Sequence, residues 1–237
     1  MTYTQDESYS MLDTGEDGAV FLGLKEGVDR EAFEHDLRAA QEGGPSFPAD
    51  RYVNRFPAKK HDHFLIPGGT LHCSAANAMV LEISATPYNF TFKMWDWDRV
   101  GLDGLPRPIH IDDGLANIQW DRTTDWVSEN LVNAVEVVHD GDDYLEEHTG
   151  LHELEFIETR RFTACGQTSH DATEGFHMLN LVDGTAAVVE SPTDAFVPFT
   201  VHYAETFIVP AAAGRYTIRP AAEGEQIMFM KAYVRQR

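Results

Sequence analysis

Apolar runs in this chain are short, and turn-forming residues interrupt them every few positions. That spacing suits strands and leaves room for few helices. Residues 19–24 (AVFLGL), 63–66 (HFLI), 78–83 (AMVLEI), 88–97 (YNFTFKMWDW), 155–162, 178–181, 186–190, 199–202, 206–209 and 215–219 are each expected as strands. They are rich in β-branched and aromatic residues and bounded by Asp-Gly, Pro-Gly-Gly and Ala-Gly. Asp183-Gly184, between residues 180–182 and 186–189, predicts a hairpin. Two stretches break the pattern. Residues 29–41 place Asp29 where an N-cap belongs, Ala32, Phe33, Leu37 and Ala40 at helical spacing, and Gly43-Gly44 just beyond. Residues 112–130 form a weaker helical connector, in one piece or two, with Leu115, Ile118 and Trp126 on one side.

The chain therefore reads as mostly β, in two blocks of short antiparallel strands, each a small barrel or sandwich. The stretch HDGDDYLEEHTG is polar and acidic between the blocks and suggests a boundary within residues 133–150, against the alternative of a long surface loop. The division expected is 1–132, with a helical insertion and connector, and 133–237. With 18 Lys and Arg against 39 Asp and Glu, the formal charge is −21. A surplus of that sign argues against nucleic acid or an anionic membrane surface as partner. No apolar stretch approaches the ~20 residues of a membrane helix, and MTYTQDESYS lacks the basic flank and apolar run of a signal peptide. Two cysteines, Cys73 and Cys165, are too few for a disulfide framework. A cytoplasmic globular protein is the expectation.

The richest chemistry lies in residues 61–72, HDHFLIPGGTLH. A strand, a glycine turn and a returning strand place His72 across a barrel mouth, where an imidazole serves as a metal ligand or a structural group. His61 and His63 alternate onto one face and are further donors or rim residues. His148 and His152 have i, i+4 spacing, but Gly150 between them argues against a helical metal pair. Arg160 and Arg161 suit ion pairing better than phosphate binding. Cys73, adjacent to His72, should face the other way as a buried thiol.

The stretch IPGGTLHCSAANAMVLEISATPYNFTFKMWDWDR, then RPIHID, resembles the "IPAGT-[VI]-H … LEI … Y-D-[WY]-D-R" and "R-x-x-H-I" segments of type I phosphomannose isomerases, zinc enzymes built from cupin barrels. QDESYSMLDTGEDGAVFLGLKEGV resembles the family's stretch of a Glu before an aromatic-rich strand and "L-G-[FL]-K-E-G". VHYAETFIVPAAAGRYTI resembles its degenerate C-terminal barrel. The resemblance implies two cupin-like jelly rolls, the first incomplete at its N-terminus. It makes Glu7 and His72 zinc ligands and Glu82 a pocket carboxylate for proton transfer. It puts Lys93 where the family carries a catalytic or substrate-orienting Arg, with Arg99 and Arg107 as further phosphate-binding cations. His110 supports the pocket or its connector.

Departures accompany the match. Lys93 keeps the charge but loses the planar fork of Arg, and Gln5 stands where part of the family has Lys. The family's Gln-x-His ligands lie upstream of the Glu, whereas this sequence begins six residues before Glu7. A catalytic zinc uses about three protein ligands plus water, so the resemblance implies an N-terminally shortened version or a site completed by another His. An exposed barrel edge would then be covered by the chain itself or by a partner such as a second copy. The function implied is zinc-assisted interconversion of mannose 6-phosphate and fructose 6-phosphate, impaired where those ligands are missing. The alternatives are a non-catalytic metal- or sugar-binding double cupin and a metal-free structural one.

Overall fold

Every strand pairing in the computed structural model, which describes residues 5–85, 91–150 and 156–235, is antiparallel. The chain divides into two compact units, Met1–Val132 and Asn133–Arg237.

The first unit contains β1 (Asp6–Thr14), β2 (Ala19–Leu24), α1 (Arg30–Gln41), α2 (Ala49–Tyr52), β3 (Val53–Pro57), β4 (His63–Ile66), β5 (His72–Ser74), β6 (Ala78–Ala85), α3 (Ile111–Asn117) and α4 (Thr124–Asn130). Its strands form two three-stranded sheets, ordered β4-β1-β6 and β3-β2-β5. β2 is buried along its whole length, because Val20 and Leu22 pack against Tyr9, Met11 and Phe64 while Phe21 and Leu24 pack toward α1. The Asp29 carboxylate accepts from the backbone N–H groups of Glu31 and Ala32 at 2.9 and 3.2 Å, which starts α1 as the sequence predicts. Phe33, Leu37 and Ala40 form its buried stripe. Phe33 meets Phe47, Tyr52 and Trp120 edge-on at 5.2–5.6 Å; a buried aromatic of this kind contributes about 2–3 kcal/mol.

The connector is two short helices, not one, and Trp126 is exposed while Val127 takes the buried position. At Gly114 of α3 an added Cβ would lie 1.9 Å from Met94 Sδ, so the missing side chain lets the helix press against the segment that follows β6. That segment departs from expectation. Residues 88–90 of the predicted strand lie outside the described residues, and residues 91–97 are irregular rather than extended in a sheet. Trp97 and Asp98 both have positive φ, and Trp95 donates from Nε1 to Asp98 at 2.8 Å; the indoles of Trp95 and Trp97 pack at 4.5 Å. Local aromatic and carboxylate contacts replace the ladder there.

The second unit contains β7 (Glu136–Asp140), β8 (Tyr144–His148), β9 (Ile157–Ala164), β10 (Thr168–Asp171), β11 (His177–Asp183), β12 (Ala186–Glu190), β13 (Phe199–His202), β14 (Thr206–Val209), β15 (Arg215–Pro220) and β16 (Ile227–Val234). A four-stranded sheet, β10-β15-β12-β13, and a six-stranded sheet, β14-β11-β16-β9-β8-β7, enclose a core that includes Phe162, Leu179, Tyr216 and Phe229. Two expectations are corrected. Residues 180–182 and 186–189 do not pair: β11 pairs with β14 and β16, and β12 with β13 and β15. A bulge between Leu181 and Asp183 turns the chain from one sheet into the other. The acidic stretch after residue 135 is not a surface loop but the β7–β8 hairpin, in which Glu136 and Asp140 are exposed and Glu147 is buried.

Candidate active site

β1 and β5 belong to different sheets, and they bring Glu7 and His72 together. Register fixes the carboxylate. Glu7 stands opposite Ile66 on one side and Ser84 on the other, while Tyr9 stands opposite Phe64 and Glu82. These residues therefore share one face of the β4-β1-β6 sheet. His72 follows the Pro67-Gly68-Gly69 turn, where Gly69 has φ +81° and an added Cβ would lie 2.5 Å from the Asn117 carbonyl oxygen. The turn is clamped from the connector. Arg122 donates to the carbonyls of Pro67 and Gly68 at 3.0 and 2.7 Å and to Thr70 Oγ1 at 2.6 Å.

The imidazole is held at both nitrogens. Nδ1 lies 2.9 Å from the Thr70 carbonyl oxygen, and Nε2 faces a Glu7 carboxylate oxygen in a close ion pair. Glu7 is 4% exposed. Burial pushes its carboxyl up, but the hydrogen bond and charge of His72 outweigh that effect and hold it below its ordinary value. Burial likewise pushes His72 down, and the hydrogen bond and charge of Glu7 hold it above its ordinary value instead. Gln5 Nε2 donates to the other Glu7 oxygen at 2.5 Å, and lies 3.4 Å from Glu82 and 3.3 Å from Ser84. Glu82 also receives the Ser84 hydroxyl. Burial raises the Glu82 carboxyl; the Ser84 hydrogen bond works against that and the Glu7 charge works with it.

Glu7, Tyr9 and His72 line a cavity of about 830 Å³, together with Lys93, Trp95 and Trp97. Arg99 is on its wall as well; Glu82 and Arg107 are not among its lining residues. The three predicted phosphate-binding cations instead converge on one buried carboxylate that sequence reasoning did not single out. Asp96 meets Arg107 Nε at 2.7 Å, Lys93 Nζ at 3.4 Å and Arg99 at 3.8 Å. Three cations around one carboxylate leave a local positive surplus in a chain whose formal charge is −21.

The other predicted groups separate from this centre. His63 stands opposite Ser10, on the sheet face away from Glu7, and His61, at φ +74°, precedes β4. His63 therefore does not share a face with the Glu7 carboxylate. His110 Nδ1 accepts from the Lys93 backbone N–H at 3.1 Å, a supporting contact behind the cavity wall. Cys73 is half-buried rather than buried and lines the cavity, and burial pushes its thiol up to about 11, away from nucleophile range. In the second unit Arg160 and Arg161 pair with Glu158 and Glu147 at 2.6 and 2.7 Å. His152 lies outside the described residues, and His148 pairs with Glu158 at 3.2 Å.

Donors that hold zinc are a carboxylate and an imidazole whose other nitrogen is anchored to a carbonyl. Glu7 and His72 match that chemistry. Among the described residues no third His, Cys, Asp or Glu joins them as a metal-binding group.

No protein-family model matches the chain. Over 220 residues, 92% of its length, it is 21% identical to the Bacillus subtilis protein named probable mannose-6-phosphate isomerase GmuF and spans 62% of that protein. The solved mannose 6-phosphate isomerase from Bacillus subtilis superposes with a TM-score of 0.74 at 16% identity, over 97% of this chain and 65% of that one. This chain is similar in sequence to proteins named mannose-6-phosphate isomerases and shares the fold of the solved one. A mannose 6-phosphate isomerase solved with zinc and yttrium bound superposes with a TM-score of 0.58 at 12% identity, over 98% of this chain and 67% of that one. The chain thus spans somewhat less than two thirds of the length of the first of these mannose-6-phosphate isomerase relatives.

Proposed function

We propose that the cavity beside Glu7 and His72 is an aldose–ketose isomerase site for a phosphorylated sugar, interconverting mannose 6-phosphate and fructose 6-phosphate. The observation that carries this reading is the buried Glu7–His72 pair opening into a cavity that also bears Lys93 and Arg99. Sugar and phosphate need opposite surroundings, and the cavity offers both. The reacting end takes the carboxylate and imidazole, and the phosphate takes the cations gathered by Asp96.

Glu7 and His72 would hold a divalent cation, zinc on the evidence of the relatives. When bound, such an ion polarises the sugar oxygens as a Lewis acid. With the two donors found among the described residues, zinc binding is expected to be weak. The remaining chemistry belongs to the protein. Isomerisation removes a proton from the carbon next to a carbonyl and returns it to the neighbouring carbon. Glu82 is the proton carrier in this reading. It lies beside the cavity rather than on its wall, stands opposite the cavity-lining Tyr9 and is joined to Glu7 through Gln5, and burial raises its carboxyl. Lys93 stabilises negative charge at the substrate.

Deuterium exchange tests the reading at low turnover. In D₂O with added zinc, proton abstraction places deuterium on the reacting carbon of mannose 6-phosphate, read by NMR even where net conversion is slow. Exchange that disappears in Glu7→Gln and His72→Ala supports the isomerase. A protein that binds zinc and sugar phosphate and exchanges nothing is a binding module, and overturns it.

A further inference from the structure

Tyr9 sits at the centre of this site with an unused hydroxyl. It is 8% exposed and lines the cavity. On β1 it is two residues from Glu7, so the strand period gives both side chains the same face, and it stands directly opposite Glu82 on β6. Its ring meets the His72 imidazole edge-on, with centroids 5.8 Å apart. The ionisable neighbours each have a partner: Glu7 has His72 and Gln5, Glu82 has Ser84 and Gln5, and His72 has Thr70. The Tyr9 phenol has no hydrogen-bond partner among the described residues. The Tyr9 oxygen is not among the buried, unpartnered polar atoms, so the hydroxyl opens onto the cavity as a free donor, which Phe filling the same space would not supply.

We propose that Tyr9 is a catalytic residue whose phenolic O–H donates a hydrogen bond to the substrate oxygen that becomes negative when the proton is removed. The inference rests on the isomerase reading of the cavity. The step is simple to balance. The site carboxylate, Glu82 in that reading, takes the proton from the carbon beside the carbonyl. The C–H electron pair forms the carbon–carbon double bond, and the carbonyl electrons move onto oxygen. Tyr9 keeps its proton and stabilises that oxygen through the hydrogen bond. Reprotonation at the neighbouring carbon gives the isomer, and the hydrogen bond relaxes to that of a neutral ligand. The bond is therefore strongest where charge is greatest, as a catalytic interaction must be.

Tyr9→Phe retains the ring against His72 and removes the hydroxyl alone. With zinc present, two readouts follow for the parent and the variant: the rate of deuterium exchange into mannose 6-phosphate, and the affinity for a hydroxamate analogue of the enediolate, which needs no turnover. The expected result is a loss of about a hundredfold in exchange rate and about tenfold in analogue affinity. The affinity for mannose 6-phosphate itself and the thermal midpoint are expected to stay close to the parent's. A variant that exchanges and binds the analogue as well as the parent overturns the Tyr9 assignment and leaves the isomerase reading intact. Equal losses for substrate and analogue overturn it too, because they mark a ground-state or structural contact. A parent that neither exchanges nor binds the analogue overturns the isomerase reading and the Tyr9 role together.

Discussion

The imidazole of His72 lies between two acceptors, the Thr70 carbonyl at Nδ1 and the Glu7 carboxylate at Nε2. The first contact fixes the ring's orientation, and the second places it against a carboxylate from a different sheet. Removing the ring leaves Glu7 buried without its counter-charge. His72→Ala is expected to lose about 3 kcal/mol of stability and any zinc uptake beyond background, measured by urea unfolding and by metal analysis after dialysis. A variant with the parent's stability and metal content contradicts the pairing.

The same pair sets a pH window for the first unit. Glu7 is held low in the folded state, so its contribution is present above its ordinary value of 4.5 and is lost as pH falls through its folded value. His72 is held high, so its contribution is complete below 6.5 and is lost as pH rises through its folded value. Stability from the pair is therefore greatest between about 4.5 and 6.5 and declines on both sides. Glu7→Gln is expected to flatten both flanks in tryptophan-monitored unfolding, since all four tryptophans lie in the first unit.

The second unit behaves oppositely toward acid. Burial holds His170 well below its ordinary value, with the Lys231 and His177 charges adding to the effect, and lowers His177 to about 4. Between about 6.5 and 4 the unfolded chain binds protons that the folded chain refuses, so stability falls with pH by about 1.4 kcal/mol per unit for each histidine. Amide protection factors in β9–β16, which correct for the intrinsic slowing of exchange in acid, are expected to fall from pH 7 to pH 5, and His170→Gln is expected to lessen that slope. An unchanged slope in that variant excludes His170 as its source.

Lys93 and Arg107 share Asp96 but differ in reach, because Lys93 lines the large cavity and Arg107 does not. Lys93→Ala is expected to weaken fructose 6-phosphate binding about tenfold, with a flatter dependence on salt. Arg107→Ala acts through Asp96 alone and is expected to change binding less than Lys93→Ala at every ionic strength. Calorimetric titration at low and high salt separates the two, and equal effects refute the ordering.

Gly69→Ala forces a Cβ toward the Asn117 carbonyl at a positive φ. The expected cost is about 1–3 kcal/mol, and the displaced turn carries His72 with it, so zinc affinity falls although no donor has changed. Retained affinity in a folded Gly69→Ala variant contradicts the coupling of turn and ligand.

Much of the architecture was legible because it rests on local chemistry. Asp29 and the Phe33–Leu37 stripe announce α1 through capping and period, and β9 and β11–β15 of the second unit follow alternation and turns, whereas β7, β8, β10 and β16 were not expected. The failures were non-local. Asp183-Gly184 has the composition of a hairpin turn, yet the bulge in β11 sends the chain into the opposite sheet, and nothing within a few residues of it records that choice. Residues 91–97 carry strand-forming side chains, but the Trp95–Asp98 bond and the left-handed turn at Trp97 draw them into an irregular wall. Of the site, Glu7 and His72 could be named from a family resemblance, whereas their approach needed the register of two sheets. Tyr9 was present in the β1 alternation, two places from Glu7, and went unread because alternation alone does not tell a core phenol from a working one. Asp96 was hidden by the cations around it.

Arg122 belongs to the connector, yet three of its contacts end on the Pro67–Thr70 turn that delivers His72. Its guanidinium spans backbone carbonyls and a hydroxyl at once, a reach that the single ammonium of a lysine lacks. Sequence drift in α3, α4 and the segment joining them is thereby transmitted to the His72 imidazole. Such drift retunes the centre from a distance, with every chemical group of the cavity unaltered.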